Sequence, residues 1–569
     1  MSHHLRSLAL ATGILLLTAG SAAAAPGLTG VSAAPANPAA GAHSDFTVAF
    51  STQNLGSDDV KSLRIDLPPG VLGNPQATNG TCPHEKFMAD ACPAGTKVGT
   101  TTVVADATLL VLDLGEQTIP GDVYNIPVSG GEAARLGIVL RPTVLGIPQP
   151  KQFLESPAFL RPGDGGLTSL VDNIPRTAQT TLGSAALRID KQSLTLLAKT
   201  SGGGAFESNP TSCDPATTTV TIGTYDGATA SGTGAFRPTG CDRLPFAPML
   251  QATIGAVRND VRPGAHPAVT VVVTQQPGEA NARTVQVALP TGLGADARSL
   301  ATACPLASYQ AGTCPADAVV GSATAESPLL AGPLTGVVTY VAPGDGLPQL
   351  RIALRGALNI DLVGAVTIIN GGRLLNTIDG IADVPLNRFA LTINAGPTSP
   401  VLVTRDLCDP GRGRLDGTFT AHSGKVATTT AQAVLPGCGH VPPPRVTARV
   451  GRLRAPRPAL VVHAASPDRA LTSVRLTLPR GLSFSKRARH RAHASLAGTR
   501  IAIKGRTLTA TLPAGGANAL DLRLARGGLV VSQALRRAQH PKPRLALVVR
   551  RAGLAAKHLT VRPRVVAKP

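Results

Sequence analysis

Short runs in which Val, Ile or Leu alternates with a polar residue recur along nearly the whole chain. They include "DFTVAF" (Asp45–Phe50), "SLRIDL" (Ser62–Leu67), "VTVVVT" (Val269–Thr274), "SVRLTL" (Ser473–Leu478), "RIAIKG" (Arg500–Gly505) and "LDLRLA" (Leu520–Ala525). A period of two sends successive side chains to opposite faces of a strand, one for a core and one for water. Pro and Gly interrupt the pattern about every ten residues, as strands joined by turns require. Beyond the first two dozen positions no amphipathic stretch would make a helix longer than about ten residues. The pattern predicts an all-β chain of sandwiches.

The N-terminal stretch "MSHHLRSLALATGILLLTAGSAAAAPG" is different. Arg6 is followed by an apolar run, Leu8–Leu17, and then by small residues at Ala22–Ala24. That order predicts an export signal over residues 1–24, cleaved after Ala24; its apolar run is shorter than the ~20 residues of a spanning helix. No Cys follows the cut to carry a lipid, and "LPTG" (Leu289–Gly292) lacks the extra residue of a wall-sorting signal. The expectation is an extracellular protein, secreted or peripherally attached to the cell envelope, with no transmembrane anchor.

The chain repeats itself. "GAHSDFTVAFSTQ" (Gly41–Gln53) returns as "GAHPAVTVVVTQQ" (Gly264–Gln276), and "SLRIDLPPGVLG" (Ser62–Gly73) as "TVQVALPTGLG" (Thr284–Gly294). "GTCPHEKFMADACPAGTKVG" (Gly80–Gly99) returns as "TACPLASYQAGTCPADAVVG" (Thr302–Gly321), which settles what the first copy's His84-Glu85 can mean. Zinc would need that imidazole and carboxylate and a second His, but the second copy has Leu306 and Ala307 there. Two cysteines and one aromatic, Phe87 or Tyr309, persist, so this is a disulfide loop. Each copy carries four cysteines in the same order, and an exported chain with eight should form four bridges. The assignment is Cys82–Cys92, Cys213–Cys241, Cys304–Cys314 and Cys408–Cys438, the shorter loops contributing ~3 kcal/mol each by loop-closure entropy.

These boundaries give copy one at 25–248, copy two at 249–440, and a shorter unit without cysteines at 441–569 after the stiff "VPPP". Each copy is large enough for two β-subdomains, with hinges expected near "LPFAP" (Leu244–Pro248) and "VPPP". LPxG turns stand at Leu67–Gly70, Leu289–Gly292 and Leu478–Gly481, each a strand ended by Pro with Gly supplying the turn.

The motifs "LPPGVLGNP" (Leu67–Pro75), "CPAGTKVG" (Cys92–Gly99), "NPTSCDP" (Asn209–Pro215) and "TGCDRLPFAP" (Thr239–Pro248) resemble those of secreted Cys-containing repeat proteins of high-GC actinobacteria. The segment "DFTVAFSTQNLGSDDVKSLRIDLPPGV" (Asp45–Val71) is also similar to the conserved-repeat type of bacterial surface sandwich. Copy two departs from the pattern, with "LPTGLGADA" lacking Asn-Pro and "LCDP" replacing "NPTSC". The resemblance implies an extracellular β-rich repeat protein and carries over no catalytic residues; the fold expected is an elongated array of four or five disulfide-stapled, immunoglobulin-like β-sandwich units in a row.

Enzyme motifs are missing: no GxSxG, complete HExxH, P-loop or GxGxxG following a strand. The 33 acids are scattered and the chain has no Trp to grip a sugar face. "PGDG" (Pro162–Gly165 and Pro343–Gly346) offers one carboxylate each time, which suits a turn better than calcium. No cofactor and no catalytic residue is assigned. A secreted hydrolase with dispersed residues is one alternative. A ligand- or polysaccharide-binding protein is another, its pocket expected in Thr143–Asn173, which holds Phe153 and Phe159 and has no close sequence counterpart in copy two.

Charge is the feature that asks for a partner. From Arg445 onward there are 27 Lys and Arg against two acids, Asp468 and Asp521, a balance of +25. The rest of the chain has 27 bases and 31 acids. Coding bias would explain the excess without function. The functional expectation is an anionic cell-envelope polymer or surface, held electrostatically. The candidate residues are Lys486, Arg487, Arg489, Arg491, Arg536, Arg537, Lys542, Arg544, Arg550 and Arg551. With Phe484 as the unit's one aromatic there is no stacking platform, so specific nucleic-acid recognition is not expected.

Overall fold

The computed structural model describes residues 25–566 apart from 110–111, 145, 181–182, 439–442, 467–468, 539–541 and 553–555. The expected export signal lies outside the described residues, as does the first half of "VPPP". The chain divides into two compact units, Met1–Gly437 and Cys438–Pro569. Both are all-β, as the alternation predicts. Among the described residues no helix is long and apolar enough to cross a membrane.

In copy one a twelve-stranded sheet follows the path Gly27–Pro35, Phe46–Gln53, Gly183–Leu196, Lys97–Leu109, Leu112–Asn125, Ala134–Leu140, Gln152–Leu160, Leu167–Val171, Val60–Asp66, Ala216–Thr224, Thr229–Phe236. Thr177–Thr180 pairs with Gly183–Leu196 off this path. The first strand comes back to the last: a methyl built at Gly232 would lie 2.6 Å from Val31 Cγ2. The sheet therefore curls around one core, which includes Phe46, Val48, Ile65, Val103, Ile138 and Ile222. Copy two repeats the path strand for strand, from Met249–Ile254 to Val426–Gln432.

One sheet per copy, not two β-subdomains, follows from the pairing. Val60–Asp66 is an early strand, yet it is hydrogen-bonded between Leu167–Val171 and Ala216–Thr224. Strands interleaved in this way cannot be cut into two consecutive halves. Thr143–Asn173 also differs from expectation. Its strands Gln152–Leu160 and Leu167–Val171 take the places that Ile360–Ile369 and Arg373–Ile378 hold in copy two. The stretch without a close sequence counterpart is therefore a diverged part of the repeat.

The cysteines are all oxidised. Cys82–Cys92, Cys213–Cys241 and Cys304–Cys314 are paired as expected, and Cys408 and Cys438 are disulfide-bonded too. The Cys82–Cys92 loop holds the helical turn His84–Met88, which drives Phe87 into a pocket with Tyr124, Ile126 and Val139. Phe153 meets Phe87 edge-on at 5.5 Å. A methyl at Gly137 would lie 2.6 Å from the Phe87 ring, so that strand must carry Gly there. His84 stays exposed and pairs with Glu155 (3.1 Å).

Three of the resemblance motifs meet at the junction of the copies. Asp383, 2% exposed, accepts hydrogen bonds from the Thr211 amide (2.8 Å) and hydroxyl (2.5 Å) and from Asn281 Nδ2 (2.8 Å). Gly70, the turn of "LPPG", has φ +86°, and a methyl there would lie 2.6 Å from Asp383 Oδ2. "LPPG" and "NPTSC" of copy one thus cradle one carboxylate of copy two. "LPFAP" is held as well, with Pro245 O accepting from the Ala280 amide (2.9 Å) and Leu244 O from Lys425 Nζ (2.5 Å). At the expected hinge the two copies are thus in contact.

Cys438–Pro569 is a sandwich of two five-stranded sheets. One runs Ala492–Ala494, Ala519–Leu524, Ala459–Ala465, Arg445–Gly451, Arg564–Val566; the other runs Arg500–Lys504, Thr507–Thr511, Leu471–Thr477, Leu545–Arg551, Lys557–Val561. Leu460, Val462, Leu522, Val474, Leu476, Leu508, Leu547 and Val549 form its core. A further ladder joins Leu482–Phe484 to Leu529–Val531.

Candidate anionic-polymer interface

Alternation decides which cations reach water. In Leu471–Thr477 the core side is Leu471, Val474 and Leu476, and Arg475 is exposed between them. In Arg500–Lys504 both terminal cations are exposed. The same rule corrects one candidate. Along Leu545–Arg551 the buried phase is Leu545, Leu547, Val549 and Arg551, leaving Arg550 outside. Arg551 is only 9% exposed, on the core side, and leaves the interface.

The remaining candidates fall into separate groups. Lys486, Arg487, Arg489 and Arg491 are exposed on the segment that follows Phe484. This segment is tied to the turn after Ala519–Leu524: the Ser485 amide donates to Gly528 O (3.0 Å), its hydroxyl to Gly527 O (2.6 Å), and the Ala525 amide to Arg491 O (2.9 Å). Arg526 is exposed on that turn and Arg523 on the strand before it. Six cations, with His490 and His493, are thereby gathered around one loop pair. Arg523 and Arg526 were not among the sequence candidates, and only the strand pairing reveals them.

The cluster extends over the outer face of its sheet. His493 stands opposite Arg523, Arg523 opposite Val461, Val461 opposite Arg449, and Arg449 opposite Arg564. Neighbouring strands are ~4.8 Å apart, so this register row holds three arginines, Arg523, Arg449 and Arg564, with Val461 between the first two. The one acid among the described residues of the unit, Asp521, is occupied by His463 (2.7 Å). Two like charges ~10 Å apart in water repel by only ~0.4 kcal/mol, so a solvated face tolerates the crowding. A polymer with closely spaced anions would relieve many such repulsions together.

The other candidates stand elsewhere. Arg550 is on the outer face of the second sheet with Arg475 and Arg500, in rows that also hold Ser473, Thr509 and Thr511. Lys542 and Arg544 are exposed just ahead of Leu545–Arg551. Arg537 is exposed and Arg536 half-buried on the short helix Gln533–Arg537.

No protein family and no curated protein matches the chain. Among solved structures it is similar to the Enterococcus faecalis MSCRAMM ACE, described as binding its ligands by the collagen Hug model. That match has 8% identity and a TM-score of 0.16 and covers 56% of this chain and 95% of the other. A protein from Corynebacterium diphtheriae described as membrane anchored also matches, at 8% identity and TM-score 0.16, over 83% of this chain and 97% of the other. Likeness at this level says nothing about function or ligand.

Proposed function

We propose that this is a non-enzymatic, exported surface protein whose C-terminal sandwich holds an anionic polymer of the cell envelope, while the disulfide-stapled copies form the body it carries. Fully oxidised cysteines support export, since such bonds persist in oxidising compartments. The observation that carries the binding reading is the cluster Lys486, Arg487, Arg489, Arg491, Arg523 and Arg526, exposed together on a unit whose one described acid is already paired.

The test is binding of the full chain to an immobilised polyglycerol phosphate, with salt raised from about 0.05 to about 0.5 M. Affinity should fall steeply as salt rises. Exposed ion pairs are worth ~0.5–1 kcal/mol each, so changing Arg487, Arg489, Arg523 and Arg526 to Gln should cost ~2–4 kcal/mol, roughly 30- to 1000-fold. Unchanged affinity in that variant, with its fold intact, would overturn the proposal.

A further inference from the structure

A cleft of about 280 Å³ opens at the junction of the two copies. It is larger than the space beside Ala105 in copy one, about 80 Å³, or beside Val271 in copy two, about 100 Å³. Copy one lines it with residues that include Leu72, Phe206 and Asn209, copy two with Gln275, Glu279 and Asn281. The Asn281 amide donates to Thr211 Oγ1 (3.2 Å), so the segments that carry Asn209 and Glu279 meet there.

Three buried side-chain oxygens of residues lining this cleft have no hydrogen-bond partner: Asn209 Oδ1, Gln275 Oε1 and Glu279 Oε2. Asn209 is 2% exposed and Gln275 8%. Neither amide gains by turning over. Asn209 Nδ2 donates to Asn37 O and Ala39 O, both at 2.8 Å, and Gln275 Nε2 donates to Ala280 O (2.9 Å), so each oxygen is held as the free end. Among the described residues of the cleft no buried side-chain donor is left over in the same way, and no Lys or Arg lines it. The unmet demand is for donors.

The repeat itself does not require these groups. In register with Gly41–Gln53, copy one has Thr52 where copy two has Gln275. Counting back from Cys213 and Cys408, copy two has Thr404 where copy one has Asn209. The acceptors come together only because the two different copies face one another. Buried polar groups are normally hydrogen-bonded, and an unmet acceptor is costly, so three in one cleft point to an occupant that supplies hydrogens.

We propose that the cleft binds a small primary alkylammonium ion, its body against apolar residues such as Phe206, Leu72 and Leu244. An ammonium carries three donors and no acceptor, and its charge is opposite to that of the Glu279 carboxylate. Water can hydrate each oxygen but brings no charge to that carboxylate. An alcohol brings one donor, and an anion would meet Glu279 with no Lys or Arg to hold it. The proposal is independent of the basic unit.

The test is isothermal titration of the full disulfide-intact chain with n-hexylammonium chloride, and with 1-hexanol and sodium hexanoate as partners of the same length. One hexylammonium per chain is expected, bound at least about tenfold more tightly than either comparison compound. Glu279→Gln keeps the shape and removes the charge, and should weaken hexylammonium at least about tenfold. Glu85→Gln, an exposed acid on the helical turn of copy one, should leave binding unchanged. The comparison of the three compounds needs no variant, so it decides the matter even if Glu279→Gln fails to fold. The proposal fails if hexylammonium does not bind, if hexanol or hexanoate binds as tightly, if folded Glu279→Gln binds it normally, or if Glu85→Gln weakens it equally.

Discussion

Glu207 should make the protein less stable as pH rises. It lies in the small ladder between Leu72–Gly73 and Glu207–Ser208, with no exposure to solvent. The Ser44 amide donates to Oε2 at a long 3.3 Å, and Oε1 has no hydrogen-bond partner. Burial, with a smaller contribution from the nearby Asp45 carboxylate, pushes its pKa up to about 8 from an ordinary 4.5. Between those values the folded chain keeps a proton that the unfolded chain has released. Stability contributed by the protonated group is complete below the unfolded value and is lost progressively up to the folded one, by ~1.4 kcal/mol per pH unit. From about pH 5.5 to about pH 7.5 the loss is ~2.7 kcal/mol. Glu207→Gln keeps the shape and removes the charge, so it should abolish that slope and be the more stable protein at the upper pH. Urea unfolding of the disulfide-intact chain, followed by far-UV circular dichroism, gives the difference between the two proteins at each pH. Carboxylates held low by partners, such as Asp90 beside Arg141 and Lys151, act in the opposite direction, at acid pH, and cancel in that difference. Parallel pH profiles, or a Gln variant less stable at pH ~7.5, would refute the reasoning.

Phe87→Ala should cost ~3–5 kcal/mol, because a fully buried ring is lost from beneath a loop that Cys82–Cys92 keeps closed. A thermal midpoint near that of the parent would contradict it. Asp383→Ala leaves the Thr211 amide and hydroxyl and the Asn281 amide without their acceptor and should cost ~1–3 kcal/mol. Hydrogen exchange at Thr211 and Ser212 should accelerate while the sheet cores keep their protection; unchanged exchange there would show that the junction does not depend on this carboxylate. Arg551→Ala should lower stability and Arg550→Ala should not, since one is on the core side of its strand and the other in water. Equal midpoints for the pair would refute that phase.

Local signals were readable in the sequence, and non-local ones were not. Alternation in "VTVVVT" or "SVRLTL" reports strand and face directly, and even Arg551 could have been placed by counting inward from Leu545. Cysteine spacing identified the loops because the duplicate tested each residue's necessity. The single interleaved sheet was hidden because Val60–Asp66 pairs with strands far along the chain. Arg523 and Arg526 join the basic cluster for a similar reason, through the pairing of Ala492–Ala494 with Ala519–Leu524. Asp383 belongs to no motif; its role comes from what "LPPG" and "NPTSC" place around it.

The central claim is that the C-terminal unit holds the protein to an anionic surface. Fractionation of producing cells through a salt series, comparing the full chain with one stopped before Val441, tests it most directly. The full chain should sediment with the envelope and be released by salt, while the shortened chain is found in the medium from the start. If both are free in the medium at low salt, the positive charge of the C-terminal unit does not anchor the protein.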